Sequence, residues 1–205
     1  MTLTASTDLD VRRRSDARDV PAVAATVAAA FFDDPVTQWL LPDAHRRRQL
    51  VQPMFELYVA PYLRNGETYL TTDGVGAAVW LPPDGQLFAG DDEESFGEAL
   101  AELVGPDIDR VVQLAEVFDR HHPVEPHYYC QFLATLPTMQ GRGIGSALLS
   151  DVLARADQEA MPAYHEATTP RNRALYERHG YVTQGEFTLP DGPPLWRMWR
   201  DPLVF

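Results

Sequence analysis

Hydrophobic positions along this chain follow two periods, and the switches between them mark its elements. Val11 to Arg14 is short and β-compatible. Asp19-Val20-Pro21 opens a helix, with an acid near its start and proline in its first turn, and the alanine-rich run Ala22 to Phe32 carries it on. Asp33-Asp34-Pro35 ends it, and Val36 to Leu41 adds a further helical turn before Pro42. From Asp43 to Leu63 the apolar positions Leu50, Val51, Met54, Leu57, Tyr58 and Tyr62 keep helical spacing, which predicts a long helix that Pro53 and Pro61 should kink or break. Thr68 to Thr72 and Val75 to Leu81 read as a hairpin across Asp73-Gly74, closed by Pro82-Pro83. After a loop over Gly85 to Gly90, helical patterns run from about Asp92 to Val104 and from Pro106 to His121.

The second half changes rhythm. A strand (Tyr128 to Thr135), a loop (Leu136 to Arg142), a helix (Gly143 to Ala160), a strand (Ala163 to Thr168) and a helix (Pro170 to Arg178) follow one another. Strand–helix–strand–helix implies a parallel pair with crossovers. Two last strands, Tyr181 to Leu189 and Leu195 to Arg200, flank a turn at Pro190 to Pro193 and suggest an antiparallel ending. The sum is a mixed α/β sheet.

Composition narrows the chemistry. The 205 residues, 45% hydrophobic and 23% charged, suit an ordinary globular chain, read as a single domain over 1–205. Thirty acids against 17 bases give −13, a surface that repels nucleic acid and anionic lipid. All 17 bases are arginine; without lysine there is no Walker A loop and no Schiff-base lysine. The lone Cys130 allows no intramolecular disulfide, and it alternates within an apolar strand as a small buried hydrophobe. No apolar run is long enough for a membrane span, and Met1 to Asp10, read as a short frayed tail, lacks a secretory pattern; a cytoplasmic setting is expected. The charge is local. Residues 84–125 hold twelve acids and two arginines, which reads as a solvated helix face or as a substrate-facing lid that attracts cations.

The stretch most informative about function is Phe132 to Leu148. A buried strand ends, three alternate glycines follow (Gly141, Gly143, Gly145), and a helix begins. Such glycines let the backbone turn tightly, and the free N–H groups of a first helical turn suit a pyrophosphate. A dinucleotide fingerprint fits poorly: its third glycine would come one position later, and it sits at the start of a βαβ array rather than near residue 140. Gln140-Gly141-Arg142-Gly143-Ile144-Gly145 resembles instead the Q/R-x-x-G-x-G/A signature of the GNAT superfamily of acyl-CoA-dependent N-acyltransferases. Glu166 to Tyr181, with Pro170-Arg171-Asn172, Leu175-Tyr176 and Gly180-Tyr181, is similar to that superfamily's strand–helix unit. Within it the chain looks most like the puromycin N-acetyltransferase group and its actinobacterial relatives, a likeness that takes in Asp19-Val20-Pro21, Ala77 to Trp80, the acidic insertion and Glu125-Pro126.

The resemblance implies a GNAT fold: a mixed, mostly antiparallel sheet with a central splayed parallel pair, flanked by helices. It implies acetyl-CoA as cosubstrate, no metal, and a small-molecule amine as acceptor. The backbone of Leu133, Ala134 and Thr135 should bond the pantetheine arm, and the N–H groups from Gln140 through Gly141, Arg142, Gly143, Ile144 and Gly145 to Ser146 should hold the pyrophosphate, with Arg142 adding charge. Asn172 should contact the donor, and Tyr176 should lie near the thioester sulfur as proton donor to the leaving thiolate. The acceptor is expected to be cationic and aminonucleoside-like or antibiotic-like, acetylated by direct attack in a ternary complex, in a monomer or homodimer. The rival is a non-catalytic acyl-CoA sensor on the same scaffold.

Some positions stay open. The strand that carries a glutamate base in some relatives has Tyr128, Tyr129 and Cys130 here, so Glu166, His127 and His165 are alternatives, or no base is needed. His121, His122 and His127 lack metal-site spacing. No G-x-S-x-G elbow exists. Arg46-Arg47-Arg48 reads as a solvated face, and Phe31, Phe32 and Trp39 as cleft or core.

Overall fold

The computed structural model describes residues 11–14 and 17–203, so the expectation for residues 1–10 lies outside the described part. The helices are α1 (Val20–Phe31), α2 (Pro35–Leu40), α3 (Ala44–Asn65), α4 (Asp92–Val104), α5 (Ile108–His121), α6 (Ile144–Gln158) and α7 (Pro170–Arg178). The strands are β1 (Val11–Arg14), β2 (Glu67–Thr71), β3 (Gly76–Leu81), β4 (Tyr128–Thr135), β5 (Ala163–Ala167), β6 (Val182–Thr188) and β7 (Pro194–Arg200). They form one sheet in the order β1-β2-β3-β4-β5-β7-β6. Every pairing is antiparallel except β4 with β5.

That exception places the site. β4 and β5 pair only at Tyr128 with Ala163 and Tyr129 with Tyr164, and then separate. From Cys130 to Thr135 the strand bonds β3 on one side and leaves the β5 side open. An open backbone edge in a sheet interior must find donors and acceptors elsewhere, which is what an extended polar ligand offers.

The sheet has a core on each face. One gathers α1, α2, α3 and the α4–α5 insertion, with Val27, Met54, Phe55, Val59 and Leu100 among its buried members. The other packs α6 and α7 through Leu148, Leu149, Val152 and Tyr176 against Trp80, Cys130 and Met198. The insertion is anchored: Phe96 meets Tyr58 edge-on at 5.3 Å, and Arg46 donates to Asp107 at 3.0 Å and to the Val104 carbonyl at 2.8 Å.

Two expectations change. α3 is not broken at Pro53 or Pro61. Each proline removes one backbone donor, but the flanking Val51, Met54, Phe55, Val59, Tyr62 and Leu63 are buried and hold the helix to the sheet. The triple arginine is not one solvated face. Arg47 is buried and donates to the Leu41 carbonyl at 2.7 Å, Arg46 grips the insertion, and only Arg48 is exposed. Three consecutive helical residues point in directions about 100° apart, so they cannot share a face. Among the described residues no helix is long and apolar enough to cross a membrane.

Candidate active site

Two hollows meet where β4 and β5 part. The first, about 230 Å³, is lined by Leu133 and Thr135 at the end of β4, by Gln140, Gly141, Gly143, Ile144, Gly145 and Ser146, and by α7. The loop is shaped by glycine. Gly141 (φ +78°) and Gly143 (φ +84°) are left-handed, a region where a side chain is strained. Gly143 precedes α6 without a side-chain cap, so the first-turn N–H groups remain free to face a ligand. Gln140 folds back toward the Thr135 carbonyl at 3.3 Å, and Ser146 Oγ lies 2.9 Å from His179 Nε2, fixing the start of α6 to the end of α7.

The expected donor residues are thus gathered, with two exceptions. The Ala134 side chain is buried away from the hollow, leaving its backbone on the open edge of β4. Arg142 is exposed and outside the lining. Arg171 and Arg178 of α7 line the hollow together with Leu175 and bring positive charge to it. Sequence reasoning missed this pair, although the spacing i, i+4, i+7 of Arg171, Leu175 and Arg178 puts all three on one helical face. Among the described residues no acidic side chain lines this hollow.

The second hollow, about 580 Å³, lies under the insertion. Phe31, Phe55, Tyr58, Phe96 and Phe132 form a tilted and edge-to-face wall, with ring centroids 5.3 to 5.8 Å apart for four of the contacts and 6.3 Å for Tyr58 with Phe132. Its carboxylates are Asp34, Glu93, Asp119 and Glu166, beside the imidazole of His165, and among the described residues no arginine lines it. Asp34 also caps α2, accepting from Val36 N at 2.9 Å, and receives the Thr168 hydroxyl. Burial raises its pKa, against the pull of those hydrogen bonds. Phe31 therefore belongs to the cavity. Trp39 is core, donating to the Pro190 carbonyl at 2.9 Å, and Phe32 lies under the Arg47 guanidinium.

Tyr176 and Asn172 line both hollows. Thr169 accepts from Asn172 N at 3.1 Å and so starts α7 at the boundary between them. Tyr176 is buried against His165 (ring centroids 4.2 Å apart) and Tyr181 (5.6 Å). Burial holds its phenol well above its ordinary pKa, so it stays protonated as a potential acid. Cys130 is fully buried, and burial followed by the nearby Glu166 charge keeps it a thiol. A thiol so held is a poor nucleophile.

Of the three candidate bases, His165 and Glu166 line this second hollow and His127 does not. His127 holds Nδ1 2.7 Å from the Glu125 carbonyl and packs with His122, Tyr129 and Tyr164. His121 stacks on Phe187 at 4.5 Å.

A family model described as an acetyltransferase (GNAT) domain matches residues 92–183, which contain the described lining of the first hollow. An uncharacterised N-acetyltransferase of Schizosaccharomyces pombe is 25% identical over 196 residues, covering 86% of this chain and 76% of the relative. The crystal structure of a histone acetyltransferase HPA2 and related acetyltransferase from Corynebacterium glutamicum superposes with a TM-score of 0.72 at 28% identity, covering 95% of this chain and 97% of the other. Arylalkylamine N-acetyltransferase 2 of Aedes aegypti shares the fold, with a TM-score of 0.61 at 16% identity over 94% of this chain and 99% of that one. The splayed sheet, the glycine-shaped hollow and these matches agree: the chain has the GNAT fold and is an N-acetyltransferase of that type, using acetyl-CoA as its acyl donor.

Proposed function

We propose that the protein transfers the acetyl group of acetyl-CoA directly to the primary amine of a small cationic molecule with an apolar or aromatic body. The observation that carries this reading is the meeting, at Tyr176 and Asn172, of two hollows of opposite charge. The hollow lined by Arg171, Arg178 and free helix amides suits a polyphosphate. The other suits an ammonium group by its acids and a hydrophobic body by its aromatic wall.

In this reading the open edge of β4 from Leu133 to Thr135 bonds the pantetheine arm, and the N–H groups from Gln140 to Ser146 hold the diphosphate. Asn172 positions the donor at the junction. A thioester supplies an electrophilic carbonyl and a thiolate leaving group. Tyr176 gives its proton to that thiolate, and the buried thiol of Cys130 takes no part, so no acyl-enzyme forms. The acceptor resembles an aminonucleoside-type antibiotic, the class that the likeness to the puromycin N-acetyltransferase group suggests: its base and aryl parts would lie against Phe55, Phe96 and Phe132 while its amine reaches Tyr176.

Thiol release from acetyl-CoA tests this across a panel of puromycin-like aminonucleosides, arylalkylamines, linear polyamines and neutral alcohols. Monoamines with an apolar body should give the highest kcat/KM. Turnover of polyamines in preference to them, or transfer to the alcohols alone, would overturn the assignment.

A further inference from the structure

The reaction needs a group to take the amine proton, and the cavity holds two titratable side chains of β5 next to the transfer point. Glu166 is poorly placed to do it. Its Oε2 accepts the Tyr129 hydroxyl at 2.9 Å, and its Oε1 is sealed from solvent, 3.8 Å from Nδ1 of His122. His165 differs. Where β4 and β5 have stopped pairing, its imidazole reaches across the gap and Nδ1 meets the Cys130 carbonyl at 2.5 Å. A carbonyl oxygen only accepts, so Nδ1 carries the hydrogen, and in the neutral ring Nε2 must hold the lone pair. That Nε2 bonds no described residue, and unlike Nε2 of His127 it is not sealed from solvent. The ring is neutral for a physical reason. Burial disfavours the imidazolium and lowers its pKa, with the Cys130 bond and Glu166 opposing more weakly. Glu166 on β5, Cys130 on β4 and Tyr176 on α7 are the titratable groups around it, with Asp34 at the start of α2 acting on Tyr176 and uncharged Met198 opposite on β7.

We propose that His165 is the general base of the transfer, an assignment that rests on the acetyltransferase reading above. The bound ammonium first releases one proton to solvent; as the neutral amine nitrogen then bonds the acetyl carbon, its remaining N–H proton passes to Nε2. As the carbon–sulfur bond breaks, sulfur keeps the electron pair and takes the phenolic proton of Tyr176. The imidazolium then returns a proton to the phenolate, whose ring centroid is 4.2 Å away. Both side chains regain their starting states, and amine plus thioester become amide plus thiol. The staple to Cys130 therefore has two effects: it spans the splay and fixes the tautomer that can accept.

Two variants and one spectrum test this. His165→Asn can still donate to the Cys130 carbonyl, and His165→Gln lengthens the side chain; both should bind acetyl-CoA as the parent does. With an alkylamine acceptor, kcat should fall about a hundredfold or more, and the imidazole step on the acid limb of the kcat/KM profile against pH should disappear, leaving the step of the amine itself. With an arylamine, whose nitrogen sheds its proton unaided, the loss should shrink to less than about tenfold. Independently of turnover, nitrogen-15 NMR of the imidazole should show a neutral ring at pH 7 with its hydrogen on Nδ1. Variants within about threefold of the parent with an unchanged pH profile would overturn the assignment, as would a ring protonated at Nε2. A parent protein that acetylates no amine would instead overturn the functional reading, and the NMR tautomer would still decide whether His165 can accept a proton.

Discussion

Tyr176→Phe separates catalysis from stability. The Tyr176 ring is buried between His165 and Tyr181, but its hydroxyl makes no hydrogen bond with any described residue. Deleting that oxygen strands no partner and keeps the packing of the ring. The cost in folding free energy should stay under about 1 kcal/mol, the scale of one ordinary hydrogen bond. Catalysis should respond differently. A positioned acid contributes about 10² to 10⁴ in rate, or about 3 to 5 kcal/mol of transition-state stabilisation. The variant should therefore keep its Tm and its affinity for acetyl-CoA while kcat falls by at least about a hundredfold. Thiol release under saturating donor, with the amide product followed separately, measures the first quantity, and thermal unfolding the second. A kcat within about threefold of the parent, at unchanged Tm, would refute the role of the phenol as proton donor to the leaving thiolate.

Two further outcomes follow from charge. Arg171→Ala and Arg178→Ala should each weaken acetyl-CoA binding about twofold to fivefold in dilute buffer, since both arginines are exposed, and calorimetry in about 1 M salt should erase the difference; a loss that survives salt would point away from phosphate contact. Arg200 and Asp157 form a two-bond ion pair at 2.7 and 2.8 Å whose side chains are 5% and 10% exposed, and Arg200→Ala should cost about 3 to 5 kcal/mol in denaturant unfolding. The Arg200 hydrogen bonds hold the Asp157 carboxyl below its ordinary pKa, so its contribution is full above the unfolded value of about 3.9 and is lost as pH falls through the lower folded value. The penalty of Asp157→Asn should accordingly be large at neutral pH and fade in acid; an equal penalty at both would count against the charge.

Much of this could be read from the amino acids because the chain is locally consistent. β4, α4 and α7 begin and end at the residues that periodicity, turn signals and the proline before Arg171 indicate. The glycine loop was legible because three alternate glycines at a strand–helix junction have few other uses. The splay was expected from the family resemblance alone, since it is an absence of pairing between β4 and β5 and no residue type encodes an absence. What escaped notice depends on long-range packing. Arg47 looked solvent-facing until the turn at Leu41 supplied a carbonyl for it. The aromatic wall draws Phe31, Phe55, Phe96 and Phe132 from four separate elements, and only the fold brings them together. Arg171 and Arg178 could have been found by marking the face that α7 shares with Leu175.

The two hollows draw on different stretches of polypeptide. Among the described residues, those that line the hollow beside Arg171 and Arg178 all lie between Leu133 and Arg178, whereas most of the lining of the aromatic-walled hollow lies between Phe31 and Asp119. Because Arg46 clamps the insertion to α3 at Val104 and Asp107, that roof is a separable part fastened at a few points. Sequence drift or grafting within the first two-thirds of the chain can thus remodel which amine is admitted while the machinery for the thioester is inherited intact, a division of labour that would let one scaffold explore new acceptors without relearning how to hold its fuel.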